Sequence, residues 1–186
     1  MTEESRTAAY RKGARVYVDE CKAKGYYIAA AVVMPQDASR VDKALRVLNR
    51  PGQRRIHFTN ESDSSKRKIL SEVAKLGISV IVYQVKGEPD RAARPLCLNA
   101  LIEDLTAAEC ARLIIERDES LERADRQLIA AALRRTGGHG LRYEHAAPNE
   151  HPLLWVSDMV AWCCYKGGDW LRRVGTIVVE TRTLSS

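Results

Sequence analysis

The stretch 15–20 (Arg-Val-Tyr-Val-Asp-Glu) constrains the fold most, because it has the pattern of a short β-strand that ends in two adjacent carboxylates. Side chains on a strand alternate between its two faces, so Val16 and Val18 point one way while Tyr17 and Asp19 point the other. In α/β folds, functional groups lie at the carboxyl ends of buried strands. The stretch therefore predicts an α/β fold with a functional site at the end of its first strand.

Apolar patterns along the rest of the chain predict alternating strands and helices. A nearly continuous apolar run at 26–34 predicts a buried strand that pairs antiparallel with the first, across a turn at Gly25. Further strands are predicted at 54–58, 78–83, 111–116 and 141–145, with an edge strand at 176–184. Helices are predicted around the apolar positions 41–48, 69–76, 98–105, 121–133 and 153–165, the third of them opening at Pro95. This order implies a mixed sheet with helices on both faces.

The length of 186 residues fits one domain. We expect a flexible lead-in over 1–13, a single α/β domain over 14–175 and a tail or edge strand over 176–186. Thirty Lys and Arg against 24 Asp and Glu give a net charge of +6, which suits a polyanionic partner such as nucleic acid. Five cysteines without a CxxC pair predict reduced thiols rather than a zinc site. No apolar run approaches the roughly 18 residues of a membrane span, so we expect a cytoplasmic protein with no membrane partner.

A second predicted strand, 111–116, also ends in acids. Alternation places Glu116 and Asp118 on one face if the strand continues that far. If this strand is a parallel neighbour of the first, Asp19 lies within reach of one of these two acids. Asp118 fits equally well as a cap for the helix that follows. Both acids therefore stay candidates for the site.

Asp158 is the only acidic or basic side chain between His151 and Lys166, in the most apolar helix of the chain. A carboxylate in such surroundings costs several kcal/mol unless it is paired or binds a cation. The alternatives are a salt bridge to Arg or Lys and a position that faces solvent. Acids from two strand ends and a late helix would form an oxygen site for Mg²⁺ or Mn²⁺. Two such ions about 4 Å apart can promote phosphodiester cleavage.

Three short motifs give the chain a resemblance to a known family. They are Val18-Asp19-Glu20, Ile56-His57-Phe58, and the segment 157–162 (Ser-Asp-Met-Val-Ala-Trp). With them the chain resembles a bacterial ribonuclease H-like family of unknown function (domain of unknown function 3800), over 15–170 and in the same order. The resemblance implies a ribonuclease H-like sheet with an acidic metal site, and by extension a nuclease-type activity.

The resemblance also implies roles for individual residues. Asp19 would be the first-strand acid that bridges the metal ions, Asp118 or Glu116 the strand-end acid, and Asp158 the acid of the final helix. Family members often carry a Glu just before the apolar-His-Phe triplet, where this chain has Arg54 and Arg55. Glu20 and Glu61 are the available substitutes for that fourth carboxylate. The strand at 78–83 carries no acid, unlike ribonuclease H itself.

We therefore expect a divalent-metal-dependent nuclease that acts on RNA or DNA. His57 can titrate near neutral pH and serve in proton transfer, or it can be structural. The predicted catalytic residues are Asp19, Glu20, His57, Glu116, Asp118 and Asp158, with Asp19, Asp118 and Asp158 as metal ligands. Basic residues predicted to contact nucleic acid are Arg54, Arg55, Lys66 and Lys68. The alternative is a non-catalytic module of the same fold that binds nucleic acid or another protein.

Overall fold

Residues 9–23 and 25–185 are described by a computed structural model, in which strands and helices alternate after an initial β-hairpin. The strands are β1 (Arg15–Lys22), β2 (Tyr26–Val33), β3 (Ser79–Val85), β4 (Arg112–Glu116), β5 (Arg142–Ala146) and β6 (Val178–Leu184). The helices are α1 (Pro35–Leu48), α2 (Asp63–Val73), α3 (Asp90–Ala107), α4 (Glu122–Thr136), α5 (Leu153–Lys166) and α6 (Gly168–Val174), with a short 3₁₀-helix at Phe58–Asn60.

The strands form one mixed sheet in the order β5-β4-β1-β2-β3-β6. β2 pairs antiparallel with both β1 and β3, as the hairpin pattern predicts for the first pair. β4 lies parallel to β1, β5 parallel to β4, and β6 parallel to β3 as an edge strand. The predicted mixed sheet is confirmed, and the first and fourth strands are parallel neighbours.

Helices cover both faces of the sheet, as the sequence predicts. Helices α1, α2, α5 and α6 pack on one face, here called the α5 face, to which Tyr17 and Ile114 point. Helices α3 and α4 pack on the opposite α3 face, to which Val18 and Ile115 point. Alternation along β1 and β4 therefore sends consecutive side chains into two separate apolar layers. Any site at the strand ends can draw on residues from both layers.

Two local predictions are wrong. Residues 54–57 form no strand, and the chain instead enters the 3₁₀-helix at Phe58. The reason is visible in the backbone, because the Phe58 N–H donates to a carboxylate oxygen of Asp158 at 2.9 Å rather than to a neighbouring strand. Helix α3 begins at Asp90 after Pro89, and Pro95 lies inside it. Because Pro95 has no N–H, the carbonyl of Arg91 one turn earlier lacks its usual helical hydrogen bond. Arg91 is exposed.

The flexible lead-in predicted over 1–13 falls only partly within the described residues, since 1–8 lie outside them. The described part of that lead-in packs against the α3 face. Tyr10 is buried and its hydroxyl lies 3.1 Å from that of Tyr83. The Gly13 N–H donates to the carbonyl of Glu109 at 2.9 Å. Over residues 9–23 and 25–185, no helix combines the length and the apolar character needed to cross a bilayer.

Candidate functional site

Two carboxylates lie side by side at the carboxyl ends of β1 and β4. The parallel register pairs Val18 with Ile115, so the next residues on the two strands, Asp19 and Glu116, are neighbours on the α5 face. Burial is the largest cause that raises the pKa of Asp19 well above its ordinary value, and the charge of Glu116 comes next. The Glu20 backbone N–H donates to Asp19 Oδ1 at 2.7 Å. The strands thus bring together two like charges.

Asp158 joins this pair from helix α5. The Ser157 hydroxyl donates to the Tyr17 carbonyl at 2.8 Å, which fixes the helix against β1. Asp158 Oδ2 accepts the Phe58 N–H and lies 3.4 Å from Nδ1 of His57. The charge of Asp158 contributes to the raised pKa values of both neighbouring acids, so the three carboxylates share one electrostatic environment.

The carboxylates of Asp19, Glu116 and Asp158 are here called the acidic cluster. Arg55 supplies a positive charge to it. Its Nη1 donates to Glu116 Oε1 at 2.9 Å. Burial raises the pKa of Glu116, and the Arg55 guanidinium opposes that rise. The other carboxylate oxygen of Glu116, Oε2, is buried and has no hydrogen-bond partner among the described residues. The cluster therefore keeps an uncompensated acceptor next to two further acids.

The donor chemistry of this cluster fits a hard divalent cation. Carboxylate oxygens are the ligands that Mg²⁺ and Mn²⁺ prefer, and the unpartnered Oε2 of Glu116 is an acceptor without a donor. In their present arrangement, the described residues hold no group of three or more His, Cys, Asp or Glu side chains placed to bind a metal ion. The side chains of Asp19, Glu116 and Asp158 would have to move closer together to do so.

Comparison with solved structures places the fold. Ribonuclease HII from Archaeoglobus fulgidus, in its PCNA complex, matches with a TM-score of 0.52 and 16% identity over 83% of this chain and 73% of that one. Ribonuclease H2 from Pyrococcus horikoshii OT3 matches with a TM-score of 0.56 and 13% identity, over 82% and 72%. Bst ribonuclease HIII in complex with Mn²⁺ matches at 0.51 and 15%, over 87% of this chain and 54% of that one.

The fold is ribonuclease H-like. No family model matches the chain, and no curated protein matches it. At 13–16% identity the likeness concerns the arrangement of strands and helices rather than the activity. Within this ribonuclease H-like fold, the remaining candidate residues separate into those near the acidic cluster and those held elsewhere.

Glu20 lies on the opposite side of the sheet from Asp19. On the α3 face it accepts a hydrogen bond from the Tyr26 hydroxyl and forms an ion pair with Arg94. Its second oxygen is 2.7 Å from Nζ of Lys22. Glu20 is thus neutralised by cations, and the structure does not bring it into the acidic cluster.

Asp118 also stays apart from the cluster. Its Oδ1 accepts both the backbone N–H and the hydroxyl of Ser120, at 3.0 and 2.6 Å. The Ser120 side-chain hydrogen bond lowers the pKa of Asp118. The side chain is 44% exposed and lies 3.9 Å from Lys22. Asp118 therefore stabilises the turn before α4, although it does not cap that helix, whose first turn has no side-chain cap.

A cleft of about 410 Å³ lies at this edge of the sheet, lined in part by Val18, Ile28 and Leu98 of the α3 face. Its lining includes Asp19 and Glu116 as well as Glu20, Arg94 and Asp118. The cleft makes the acidic edge reachable from solvent. All of the predicted strand-end acids thus border one space, although only Asp19 and Glu116 point toward Asp158.

The predicted basic residues have different surroundings. Lys66 is buried at 5% exposure, where its ammonium donates to the Glu61 carbonyl and lies 4.8 Å from the Trp162 ring centroid. Burial withholds the charge of Lys66 from solvent, so this arrangement does not present it at the surface where a nucleic acid would bind. Arg54 and Lys68 are exposed. Glu61 is also occupied, since its carboxylate pairs with Arg50 and accepts the Ser65 hydroxyl at 2.6 Å.

Sequence reasoning missed a buried ionic network on the α3 face. Arg94 Nε and Nη2 donate to the two carboxylate oxygens of Asp125 at 2.8 and 2.7 Å. His145 Nε2 lies 3.1 Å from the same carboxylate. Burial alone would raise the pKa of Asp125, but hydrogen bonds from Arg94 and His145 outweigh it and lower that pKa. No local motif signals this network, because its members belong to α3, α4 and β5.

Proposed function

We propose that this chain is a divalent-metal-dependent nuclease that hydrolyses phosphodiester bonds in RNA or DNA. The observation that carries the proposal is the electrostatic environment that Asp19, Glu116 and Asp158 share at the carboxyl edge of a ribonuclease H-like sheet, where Asp19 and Glu116 border a cleft. Neighbouring carboxylates that repel one another are unfavourable without a compensating cation. We also propose that the chain belongs to the ribonuclease H-like family of unknown function that its sequence motifs resemble.

The carboxylates of Asp19, Glu116 and Asp158 would hold Mg²⁺ or Mn²⁺. A bound ion would supply an activated water and charge stabilisation for phosphodiester hydrolysis. The Phe58 N–H holds the Asp158 carboxylate in place at 2.9 Å. His57, whose Nδ1 lies 3.4 Å from Asp158, is positioned to hold or move a proton beside that carboxylate. Glu116 replaces Asp118 as the strand-end acid in this proposal, because Ser120 holds Asp118 elsewhere.

A nucleic-acid partner is supported by charge. The net charge is +6, and Arg54 and Lys68 are exposed cations that can contact phosphates. The solved structures of similar fold are ribonucleases, which supports the same partner class. Binding through such contacts weakens as salt concentration rises. A cytoplasmic location and the absence of a membrane partner remain predictions.

Cleavage assays test this function directly. End-labelled RNA, DNA and RNA–DNA hybrid are incubated with the wild type, Asp19→Asn and Asp158→Asn, in Mg²⁺, Mn²⁺ or EDTA. We expect metal-dependent cleavage by the wild type and a loss of at least about 100-fold in both variants, since even the residues that hydrogen-bond to a metal ligand matter by about 10–100-fold. Asp37→Asn, an exposed acid of α1 paired with Arg40, is the matched control. Cleavage that survives in Asp19→Asn would contradict the proposal.

One observation favours a second candidate, a non-catalytic module of the same fold. Arg55 already provides Glu116 with a countercharge at 2.9 Å, as a site without a metal would require. The same assays separate the two candidates. Binding of nucleic acid that is unaffected by metal, without cleavage of any substrate, would support the module and exclude the nuclease.

A further inference from the structure

Arg55 reaches the acidic cluster from a segment without helix or strand. The segment 49–57 links α1 to the 3₁₀-helix, and the Arg55 side chain remains 30% exposed. Within 9–23 and 25–185, its ion pair joins Nη1 to Glu116 Oε1 at 2.9 Å. The contact is therefore made by one nitrogen to one oxygen, between a partly solvated side chain and an acid on β4.

A more deeply buried arginine contact, on the α3 face, is built differently. Arg94 belongs to helix α3, has a side chain only 10% exposed, and donates through two nitrogens to both oxygens of Asp125. A bidentate pair has fixed geometry and is the stronger form. A singly bonded and partly exposed pair loses less free energy when it opens, because water can solvate the freed groups. Compared with the Arg94–Asp125 pair, the Arg55–Glu116 pair is thus suited to exchange.

The charges around Glu116 also favour exchange. The carboxylates of Asp19 and Asp158 lie close enough to that of Glu116 to interact with it electrostatically, and among the described residues Arg55 is the arginine that forms an ion pair with this cluster. One guanidinium faces three carboxylates, and Glu116 Oε2 keeps no partner among the described residues. A divalent cation would bring twice the charge of Arg55 to the same oxygens.

We propose that Arg55 is an exchangeable counter-cation, which holds Glu116 in the metal-free protein and moves to a phosphate of the nucleic acid once a divalent cation occupies the cluster. This inference rests on the proposed function. The freed guanidinium has five donors in a planar fork that suits phosphate oxygens. The neighbouring Arg54 is exposed, so the segment presents two cations at the edge of the site. Arg55 is thus a positioning residue for the metal-free acid and a binding residue for the substrate.

The first arm of the test measures Mn²⁺ affinity by isothermal titration calorimetry, without any nucleic acid. Removal of a competing cation tightens metal binding, so we expect Arg55→Gln to bind Mn²⁺ about 10-fold more tightly than the wild type. Arg54→Gln removes the same charge from the adjacent position and is expected to change the affinity by less than about 2-fold. Arg55→Lys, which keeps the charge but loses the planar fork, is expected to give an intermediate affinity.

The second arm measures binding of a phosphorothioate RNA–DNA hybrid by fluorescence anisotropy. With Mn²⁺ present, we expect Arg55→Gln to bind the hybrid about 10-fold more weakly than the wild type, because the phosphate contact is lost. In EDTA the two proteins should bind alike, since Arg55 then holds Glu116. Circular dichroism verifies that each variant is folded. If Arg55→Gln does not fold, Arg55→Lys replaces it in both measurements.

The outcomes separate the two proposals. Equal or weaker Mn²⁺ binding by Arg55→Gln, with clear binding by the wild type, would overturn the exchange and leave the nuclease proposal intact. A loss of hybrid binding that is the same in Mn²⁺ and EDTA would likewise overturn the exchange. No Mn²⁺ binding by any of the proteins would remove the proposed function itself.

Discussion

Asp19 and Glu20 are consecutive residues, yet they lie in opposite electrostatic environments. On the α5 face, burial and the neighbouring acids Glu116 and Asp158 raise the pKa of Asp19 well above its ordinary value. On the α3 face, Glu20 contacts Arg94, Lys22 and the Tyr26 hydroxyl. One step along a strand thus separates a carboxylate that opposes the folded state from one that supports it.

The surroundings of Asp19 are those of a functional site, and the surroundings of Glu20 are those of a structural ion-pair network. Acids in a structural arrangement are paired with cations and keep their charge at low cost, as Glu20 and Asp125 do on the α3 face. Acids gathered against one another cost free energy, and such groups are concentrated at functional sites. The two faces of β1 therefore give the same residue class two different roles. Variants on each face test whether the two roles are distinct.

The largest effect is expected from Arg94→Met. The substitution leaves Glu20 and Asp125 without their shared cation, and Asp125 has a side chain only 3% exposed. Breaking a buried pair from one side costs about 3–5 kcal/mol. We expect the free energy of unfolding in urea to fall by that amount. Arg91→Met, an exposed position in the same helix, should change it by less than about 0.5 kcal/mol. A loss below about 1 kcal/mol in Arg94→Met would show that the α3-face network is not structural.

A smaller and opposite pair of effects is expected for the two consecutive acids. Glu20→Gln removes the charge that Arg94 and Lys22 neutralise, and the loss of a hydrogen-bonded charged partner costs about 1–3 kcal/mol. Asp19→Asn removes a charge that its neighbours repel, so the free energy of unfolding at neutral pH should rise or stay unchanged. Urea unfolding of both variants at one pH measures the contrast. Equal losses in both would contradict the separation of the two faces.

The pH dependence carries the same contrast with a definite sign. The pKa of Asp19 is higher in the folded protein than in the unfolded chain, so the folded state binds more protons between these two values. The free energy of unfolding must then fall as pH rises through that window, above the ordinary aspartate value near 4. In Asp19→Asn this contribution disappears, and the profile above about pH 4 should be flatter than in the wild type. An unchanged profile would argue against the raised pKa.

Much of this arrangement follows from local pattern. Alternation along 15–20 places Asp19 with Tyr17 and apart from Glu20, and the solitary charge of Asp158 in an apolar helix predicts a polar partner, which the Phe58 N–H supplies. The parallel pairing of β1 and β4 then makes Asp19 and Glu116 neighbours. Adjacency in sequence was misleading for Glu20, because a strand sends consecutive side chains to opposite faces.

The contacts of the cationic side chains could not be predicted from local pattern. Arg55 reaches Glu116 across 61 positions from a segment without regular structure, so no periodicity fixes its direction. Lys66 lies at a helical position that looks solvated in sequence, yet tertiary packing buries it against Trp162. Arg94 and Asp125 meet only because α3 and α4 pack together on one face. Long-range pairing of this kind depends on the assembled fold rather than on local composition.

The smallest expected effect concerns the choice between Glu116 and Asp118 as the strand-end acid. Asp118→Ala removes the side-chain oxygen that accepts the Ser120 N–H and hydroxyl before α4. Loss of such a local hydrogen bond in a turn costs about 0.5–1.5 kcal/mol, so urea unfolding should show a loss of that size. In the cleavage assay, Glu116→Gln should lose far more activity than Asp118→Ala, because only Glu116 borders Asp19. The reverse order would move the third acid of the site from the end of β4 to the turn that follows it, on the side of the cleft near Glu20 and Lys22.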